Sequence, residues 1–75
     1  MYKVLIVDDE SNIRELIKKY ANFEGYDVYE ATNGLEAIDV VNKTDPDIII
    51  MDIMMPELDG FSAVKEIRKT RNIPI

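Results

Sequence analysis

Runs of large apolar residues alternate with amphipathic segments along this chain of 75 residues. Two runs, Lys3–Val7 and Ile48–Met51, are rich in β-branched residues and lack polar alternation. Such runs are typical of strands that are buried on both faces of a parallel sheet. The less apolar run Asp27–Ala31 predicts an edge strand, and residues 73–75 predict the start of a fourth strand.

Three segments between these runs have the periodicity of amphipathic helices. The first helix is expected to begin at Ser11, a predicted N-cap, and to stop at Gly25. Asn33 is the predicted N-cap of the second helix, with Glu36 as its capping-box partner. The third helix follows Gly60 and ends before Asn72. The residues predicted to face the sheet are Ile13, Leu16, Ile17, Tyr20 and Ala21, then Leu35, Ile38 and Val41, then Phe61, Val64 and Ile67.

The order of elements, β-α-β-α-β-α and the start of a fourth strand, predicts an α/β fold with a parallel sheet. Right-handed crossovers and the ranking of the strands by hydrophobicity give the strand order 2-1-3-4. The first helix should then lie on one face of the sheet and the other two helices on the opposite face. No linker or repeat divides the chain, so residues 1–75 are expected to form one unit.

Composition excludes several classes of site. The chain has no cysteine and no histidine, which rules out disulfides, thiolate metal sites and an imidazole base. A net charge of −6 argues against nucleic-acid contacts by this segment. No apolar run reaches the length of a membrane span, and no signal peptide opens the chain. We therefore expect a cytoplasmic location.

Acidic residues follow the first and third predicted strands. Asp8 and Asp9 come after Val7, and Asp52 comes after Met51. The predicted order makes these strands neighbours at the point where the sheet reverses its winding, which is where α/β folds form crevices. Each pair of carboxylates at ~5 Å would repel by roughly 3 kcal/mol at an effective dielectric constant of ~20.

A bound cation, or protonation of one acid, must offset this repulsion. With oxygen ligands alone, Mg²⁺ is the expected ion. An ordinary structural role for the Asp8-Asp9 pair, capping the following helix and interacting with its dipole, is the alternative.

Two motifs at this spacing resemble those of the receiver domains of two-component response regulators. They are the opening Val-Leu-Ile-Val-Asp-Asp-Glu of residues 4–10 and the Met-Asp-Ile-Met-Met-Pro-Glu-Leu-Asp-Gly of residues 51–60. The resemblance covers the whole chain and implies a flavodoxin-like (CheY-like) fold. That fold has the strand order given above, so the layout and the resemblance are not independent.

The resemblance also implies a role for each acid. Asp52 would be the phosphoacceptor, receiving a phosphoryl group from a phosphohistidine of a sensor histidine kinase. Asp9, Asp52 and the backbone carbonyl of Met54 would bind Mg²⁺ directly, and Asp8 would act mainly through water. Phosphoryl transfer needs positioning and charge neutralisation more than covalent machinery, which agrees with these roles. A module of this kind is not itself expected to be an enzyme.

Receivers have a Ser or Thr after strand four and a Lys after strand five, and residues 1–75 contain neither of these strand ends. We therefore expect a partial receiver domain that is signalling-incompetent as a 75-residue fragment. The third strand would lie at or near an open edge, so self-association into a homo-oligomer is also expected. A truncated, self-associating folding fragment without signalling activity is the main alternative to the receiver function.

Two other families also place chemistry after a buried strand. A haloacid-dehalogenase-type phosphatase requires a second Asp two residues after the first, and that position is Met54. A dinucleotide-binding fold requires a glycine-rich turn after the first strand, and residues 8–11 contain no glycine. Both patterns fit the chain less well than the receiver pattern does.

Overall fold

The computed structural model describes residues 1–52 and 60–75. In these parts of the chain three strands alternate with three helices, as the apolar pattern predicts. The elements are β1 (Lys3–Val7), α1 (Ser11–Phe23), β2 (Asp27–Ala31), α2 (Gly34–Thr44), β3 (Ile48–Met51) and α3 (Gly60–Arg68).

The three strands form one parallel sheet in the order β2-β1-β3. Val4 pairs with Val28 on one side and with Ile48 on the other, and Val7 pairs with Ala31 and Met51. The predicted central position of β1 and the edge position of β2 are therefore confirmed.

The predicted start of a fourth strand needs a correction. Residues 73–75 lie beside β3 but form no strand. The carbonyl oxygen of Pro74 accepts a hydrogen bond from the backbone N–H of Ile49 at 2.9 Å. Proline has no N–H with which to continue the ladder, so a single bond is made here instead of a paired strand. Ile73 is nevertheless buried in the core.

The main core lies between the sheet and the α2 and α3 helices. Alternate strand residues point to this side, because successive side chains of a strand face opposite sides of the sheet. Its strand members Leu5, Val7 and Ile49 are at most 1% exposed. The other buried members of this cluster come from β2, the two helices and the C-terminal segment. They are Ala31, Ala37, Val41, Ile67 and Ile73.

The opposite face of the sheet is only partly covered. Val4 and Ile6 are buried there, but Ile48 and Ile50 are 40% and 42% exposed. The prediction that β3 is buried on both faces is therefore wrong. The physical reason is the position of α1, which packs on β1 and β2 and leaves an apolar groove above β3.

Helix α1 also differs from its prediction at its start and on its apolar face. Ser11 is the first helical residue and Glu10 is the N-cap, without a side-chain capping bond. Ala21 is the buried residue of this helix. The helix ends before Gly25, whose φ of +84° suits glycine, as expected. The predicted inward residues that are instead exposed are Ile13, Leu16 and Tyr20.

The predicted N-cap of α2 is confirmed, whereas the reciprocal bond of the predicted capping box is not made. The Asn33 side chain accepts a hydrogen bond from the Glu36 backbone N–H at 2.8 Å. The Glu36 carboxylate in turn accepts from Thr32, one residue before the cap, and not from Asn33 itself. Leu35 is 58% exposed, so its predicted burial is wrong, and Ala37 occupies the inward position.

Helix α3 places Ala63 and Ile67 in the interior. Val64, also predicted to face inward, is partly buried. The predicted role of the Phe61 side chain falls outside the described part of the structure. Among the described residues, no helix combines the length and apolarity that a membrane span requires.

Candidate functional site

Three carboxylates meet at the carboxyl edge of the sheet. Asp8 and Asp9 follow β1, and Asp52 follows the adjacent strand β3. One carboxylate oxygen from each acid lies within 4.8 Å of those of the other two. Asp8 is buried, Asp52 is partly buried and Asp9 is exposed, so the cluster opens to solvent on the side of Asp9.

Asp8 is held by hydrogen bonds from both its backbone and its side chain. Its N–H donates to the Ala31 carbonyl at 3.2 Å, which continues the pairing of β1 with β2. Its Oδ1 accepts from the Glu10 backbone N–H at 2.9 Å. Its own carbonyl accepts from Nη1 of Arg14 at 2.8 Å. The turn between β1 and α1 is thus fixed at the residue that begins the acid pair.

Asp52 is tied to the same strand from the other side. Its backbone N–H donates to the carbonyl oxygen of Val7 at 2.9 Å. Val7 is the residue immediately before the acid pair, so the backbone of Asp52 lies beside the start of the turn that carries Asp8 and Asp9. The proximity of the three acids follows from strand pairing.

Arg14, Lys18 and Glu30 form a small ion-pair network next to this turn. Nε of Arg14 lies 3.3 Å from Oε1 of Glu30 on β2, and Nζ of Lys18 lies 3.4 Å from the other oxygen of Glu30. The Arg14 side chain is only 15% exposed, against 45% for Lys18. Arg14 therefore joins α1, β2 and the Asp8 carbonyl in one hydrogen-bonded unit.

The chemistry of the cluster suits a hard divalent cation. Three carboxylates offer oxygen ligands only, which is the donor set that Mg²⁺ prefers. Lys3 cannot neutralise them, because its Nζ donates to the Thr44 carbonyl at the opposite end of the sheet. Met54, the source of the expected carbonyl ligand, lies outside the described residues.

The sequence model of the response regulator receiver domain matches residues 4–75. The chain belongs to the response regulator receiver domain family. A probable transcriptional regulator, ycf27, of Guillardia theta is 47% identical over 73 residues, which are 97% of this chain and 29% of that protein. The receiver chain thus spans less than a third of that relative.

Solved receiver structures share the fold. The response regulator TrrA of Thermotoga maritima in complex with Mg²⁺-BeF is 44% identical, with a TM-score of 0.90 over 95% of this chain and 62% of that one. TrrA in complex with the histidine kinase ThkA matches at 44% identity and a TM-score of 0.88, covering 95% of this chain and 61% of that one. The flavodoxin-like fold predicted from the sequence is confirmed.

Sequence reasoning located the three acids but did not identify Arg14 or Glu30. Arg14 follows the apolar residue Ile13 in an amphipathic helix, and by pattern it reads as a solvated charge. Glu30 sits in a strand whose apolar pattern is weak. Their contact depends on the approach of α1 to β2, for which the local sequence carries no signal.

Proposed function

We propose that Asp52 is the phosphoacceptor of this receiver chain and that a phosphohistidine on a sensor histidine kinase is the phosphoryl donor. The observation that carries the proposal is the position of Asp52, at the end of a paired strand and within 4.8 Å of two other carboxylates. A carboxylate fixed in this way is a nucleophile whose approach is set by the sheet and not by a loop.

The proposed reaction moves one phosphoryl group. An oxygen of the Asp52 carboxylate attacks phosphorus, a P–O bond forms, and the P–N bond to the kinase imidazole breaks. The electron pair of that bond stays with the imidazole nitrogen, which takes up a proton from solvent. The product is an acyl phosphate on Asp52. In this scheme the chain is the acceptor of the group and not an enzyme that turns over a substrate.

Mg²⁺ is the proposed cofactor. Asp9 and Asp52 would bind it directly together with the Met54 carbonyl, and Asp8 would hold it mainly through water. When bound, the ion supplies positive charge against the phosphoryl oxygens and offsets the mutual repulsion of the acids. The carboxylate donors fit this role, and a Mg²⁺-BeF complex of a relative supports it.

Phosphorylation by acetyl phosphate in the presence of Mg²⁺, read by intact mass, tests the proposal. Labelling of the 75-residue polypeptide is expected to be weak, with any added phosphoryl group located at Asp52 by peptide mapping and absent from Asp52→Asn. Asp39→Asn is the control, because Asp39 is an exposed acid of α2 paired with Lys43, away from the cluster. Labelling that persists in Asp52→Asn would reject Asp52 as the acceptor.

The histidine kinase as partner and a cytoplasmic location are parts of the same proposal. The complex of TrrA with a histidine kinase supports the partner. Relatives named as transcriptional regulators, in which the matching region is 29–33% of the length, support a role within a longer regulator. The acidic chain itself is not proposed to contact nucleic acid, since phosphate contacts require a basic surface.

Self-association is a second candidate property of the 75-residue polypeptide. The exposed isoleucines of β3, Ile48 and Ile50, favour it, because they border an apolar groove with Tyr20 and Tyr26. A symmetric pair of chains joined across this face would remove these side chains from water. Sedimentation separates this property from the receiver function, which is measured by phosphorylation of Asp52.

A further inference from the structure

Arg14 contacts the turn between β1 and α1 at the backbone carbonyl of Asp8. Arg14 bonds to this oxygen at 2.8 Å through Nη1 and to Glu30 at 3.3 Å through Nε. Two nitrogens of the Arg14 guanidinium therefore bond to two parts of the chain, the turn after β1 and the strand β2. Because the guanidinium is planar, the two bonds fix the relative positions of this turn and this strand. Because the bond to Asp8 is to a backbone oxygen, Arg14 orients the main chain of the turn and not the Asp8 side chain.

The consequence for Asp9 follows from peptide geometry. The carbonyl of Asp8 and the N–H and Cα of Asp9 belong to one planar peptide unit. A hydrogen bond that orients this carbonyl also orients the direction in which the Asp9 Cα leaves the turn. Asp9 is the exposed acid of the cluster, so its position depends on its backbone more than on packing.

We propose that Arg14 is a positioning residue of the cation site, holding the Asp8–Asp9 peptide so that both carboxylates stay within reach of Asp52. The inference rests on the proposed Mg²⁺ site. Glu30 serves as the anchor that keeps the guanidinium in place, and Lys18 shares that anchor without touching the turn.

The positive charge of Arg14 and its positioning role predict opposite changes in Mg²⁺ affinity when Arg14 is replaced. A guanidinium near three carboxylates repels a divalent cation, so its removal by itself should strengthen Mg²⁺ binding. Lost positioning should weaken binding, since residues that orient metal ligands typically contribute about ten- to a hundredfold in affinity. The direction of the change therefore separates a positioning role from a purely electrostatic one.

Calorimetric titration of the 75-residue chain with Mg²⁺ provides the test, with circular dichroism to verify that each variant is folded. Arg14→Met keeps an apolar stem of similar length, and Arg14→Lys keeps the charge without the fork. Lys18→Met is the matched control, since it removes one positive charge from Glu30 and has no contact with Asp8. Asp52→Asn reports on the cation site itself.

We expect Arg14→Met and Arg14→Lys to bind Mg²⁺ about tenfold more weakly while remaining folded. Lys18→Met should bind as tightly as the unsubstituted chain or slightly more tightly. Unchanged or tighter binding by folded Arg14→Met would overturn the positioning role while the cation site stands. Equal weakening in Lys18→Met would also overturn it, in favour of the Glu30 ion pairs.

If Arg14→Met fails to fold, the Arg14→Lys variant decides by the same criterion. A titration in which the unsubstituted chain shows no saturable Mg²⁺ binding, or binds as Asp52→Asn does, rejects the cation site and the Arg14 role together. The failure of the cation site is thereby distinguished from a failure of Arg14 alone.

Discussion

Asp52 donates its backbone N–H to the carbonyl oxygen of Val7 at 2.9 Å, one residue beyond the last paired residues of β1 and β3. The bond extends the ladder up to the acid cluster. Asp52, the nucleophile proposed for phosphoryl transfer, is therefore held at the carboxyl edge of the sheet. Its distance from Asp8 and Asp9 is set by the same hydrogen bonds that hold the core strands together.

Mg²⁺ should stabilise the folded chain, and removal of a carboxylate should abolish that gain. Without the ion, Asp52→Asn is expected to raise the free energy of unfolding by up to about 3 kcal/mol for each of the two repulsive pairs that it removes. With millimolar Mg²⁺ the unsubstituted chain should gain stability through binding to its native state, and Asp52→Asn and Asp9→Ala should gain little. Urea unfolding at several Mg²⁺ concentrations measures both effects.

A thermal or urea midpoint that does not move up to tens of millimolar Mg²⁺ would contradict this prediction. Asp39→Asn, with its acid on the surface of α2, should retain the full response to the ion.

The cap of α2 should contribute measurably to stability. Asn33→Ala is expected to lower the free energy of unfolding by about 1 kcal/mol, because the Glu36 N–H loses its acceptor. Asn33→Asp keeps an acceptor at the same place and should be close to neutral. Urea denaturation followed by circular dichroism measures both. Equal stability of the Ala and Asp variants would show that the capping bond is not significant.

The two faces of β3 should respond differently to truncation. Ile49 is 1% exposed and Ile50 is 42% exposed. Ile49→Val should cost about 0.5–1.5 kcal/mol of unfolding free energy, as is typical of buried sites. Ile50→Val should cost less, because its side chain already contacts solvent. Urea unfolding at one protein concentration compares them, and a larger loss for Ile50→Val would contradict the observed burial.

The exposed face of β3 should control self-association of the 75-residue polypeptide. Ile50→Lys is expected to weaken association by roughly ten- to a hundredfold, which corresponds to about 1.5–3 kcal/mol for one apolar side chain. Leu35→Lys is the control, since Leu35 is 58% exposed on α2, a helix packed against the other face of the sheet. Sedimentation at low micromolar concentration measures this, and a purely monomeric unsubstituted chain would refute it.

The sequence predicted the features that depend on local pattern and strand ranking. The apolar runs located β1 and β3, and the acids that follow them met as expected because parallel strands end at the same edge. Asn33 was identified as a cap because its side chain acts on a backbone group only three residues away. These features are determined by interactions that are close in sequence or imposed by topology.

Other features depend on how the helices cover the sheet, and the local apolar pattern alone did not predict them. Ile48 and Ile50 have the composition of a doubly buried strand, yet their exposure is decided by where α1 lies. Tyr20 and Leu16 follow an apolar helical period, but the contact of α1 with the sheet is too narrow to bury them. The contacts of Arg14 depend on the distance between α1 and β2, which no local pattern encodes.

The pairing of Val7 with Met51 has a consequence for how the chain can tolerate insertions. One extra residue within β3 would shift Asp52 along the sheet by about 3.3 Å and turn the following side chains to the other face. That shift is comparable with the whole 4.8 Å spread of the acid cluster. An extra residue before Asp47, whose backbone N–H donates to the Lys3 carbonyl at 2.8 Å, should leave the pairing of β3 unchanged. Length variation should therefore be accepted before β3 and rejected within it.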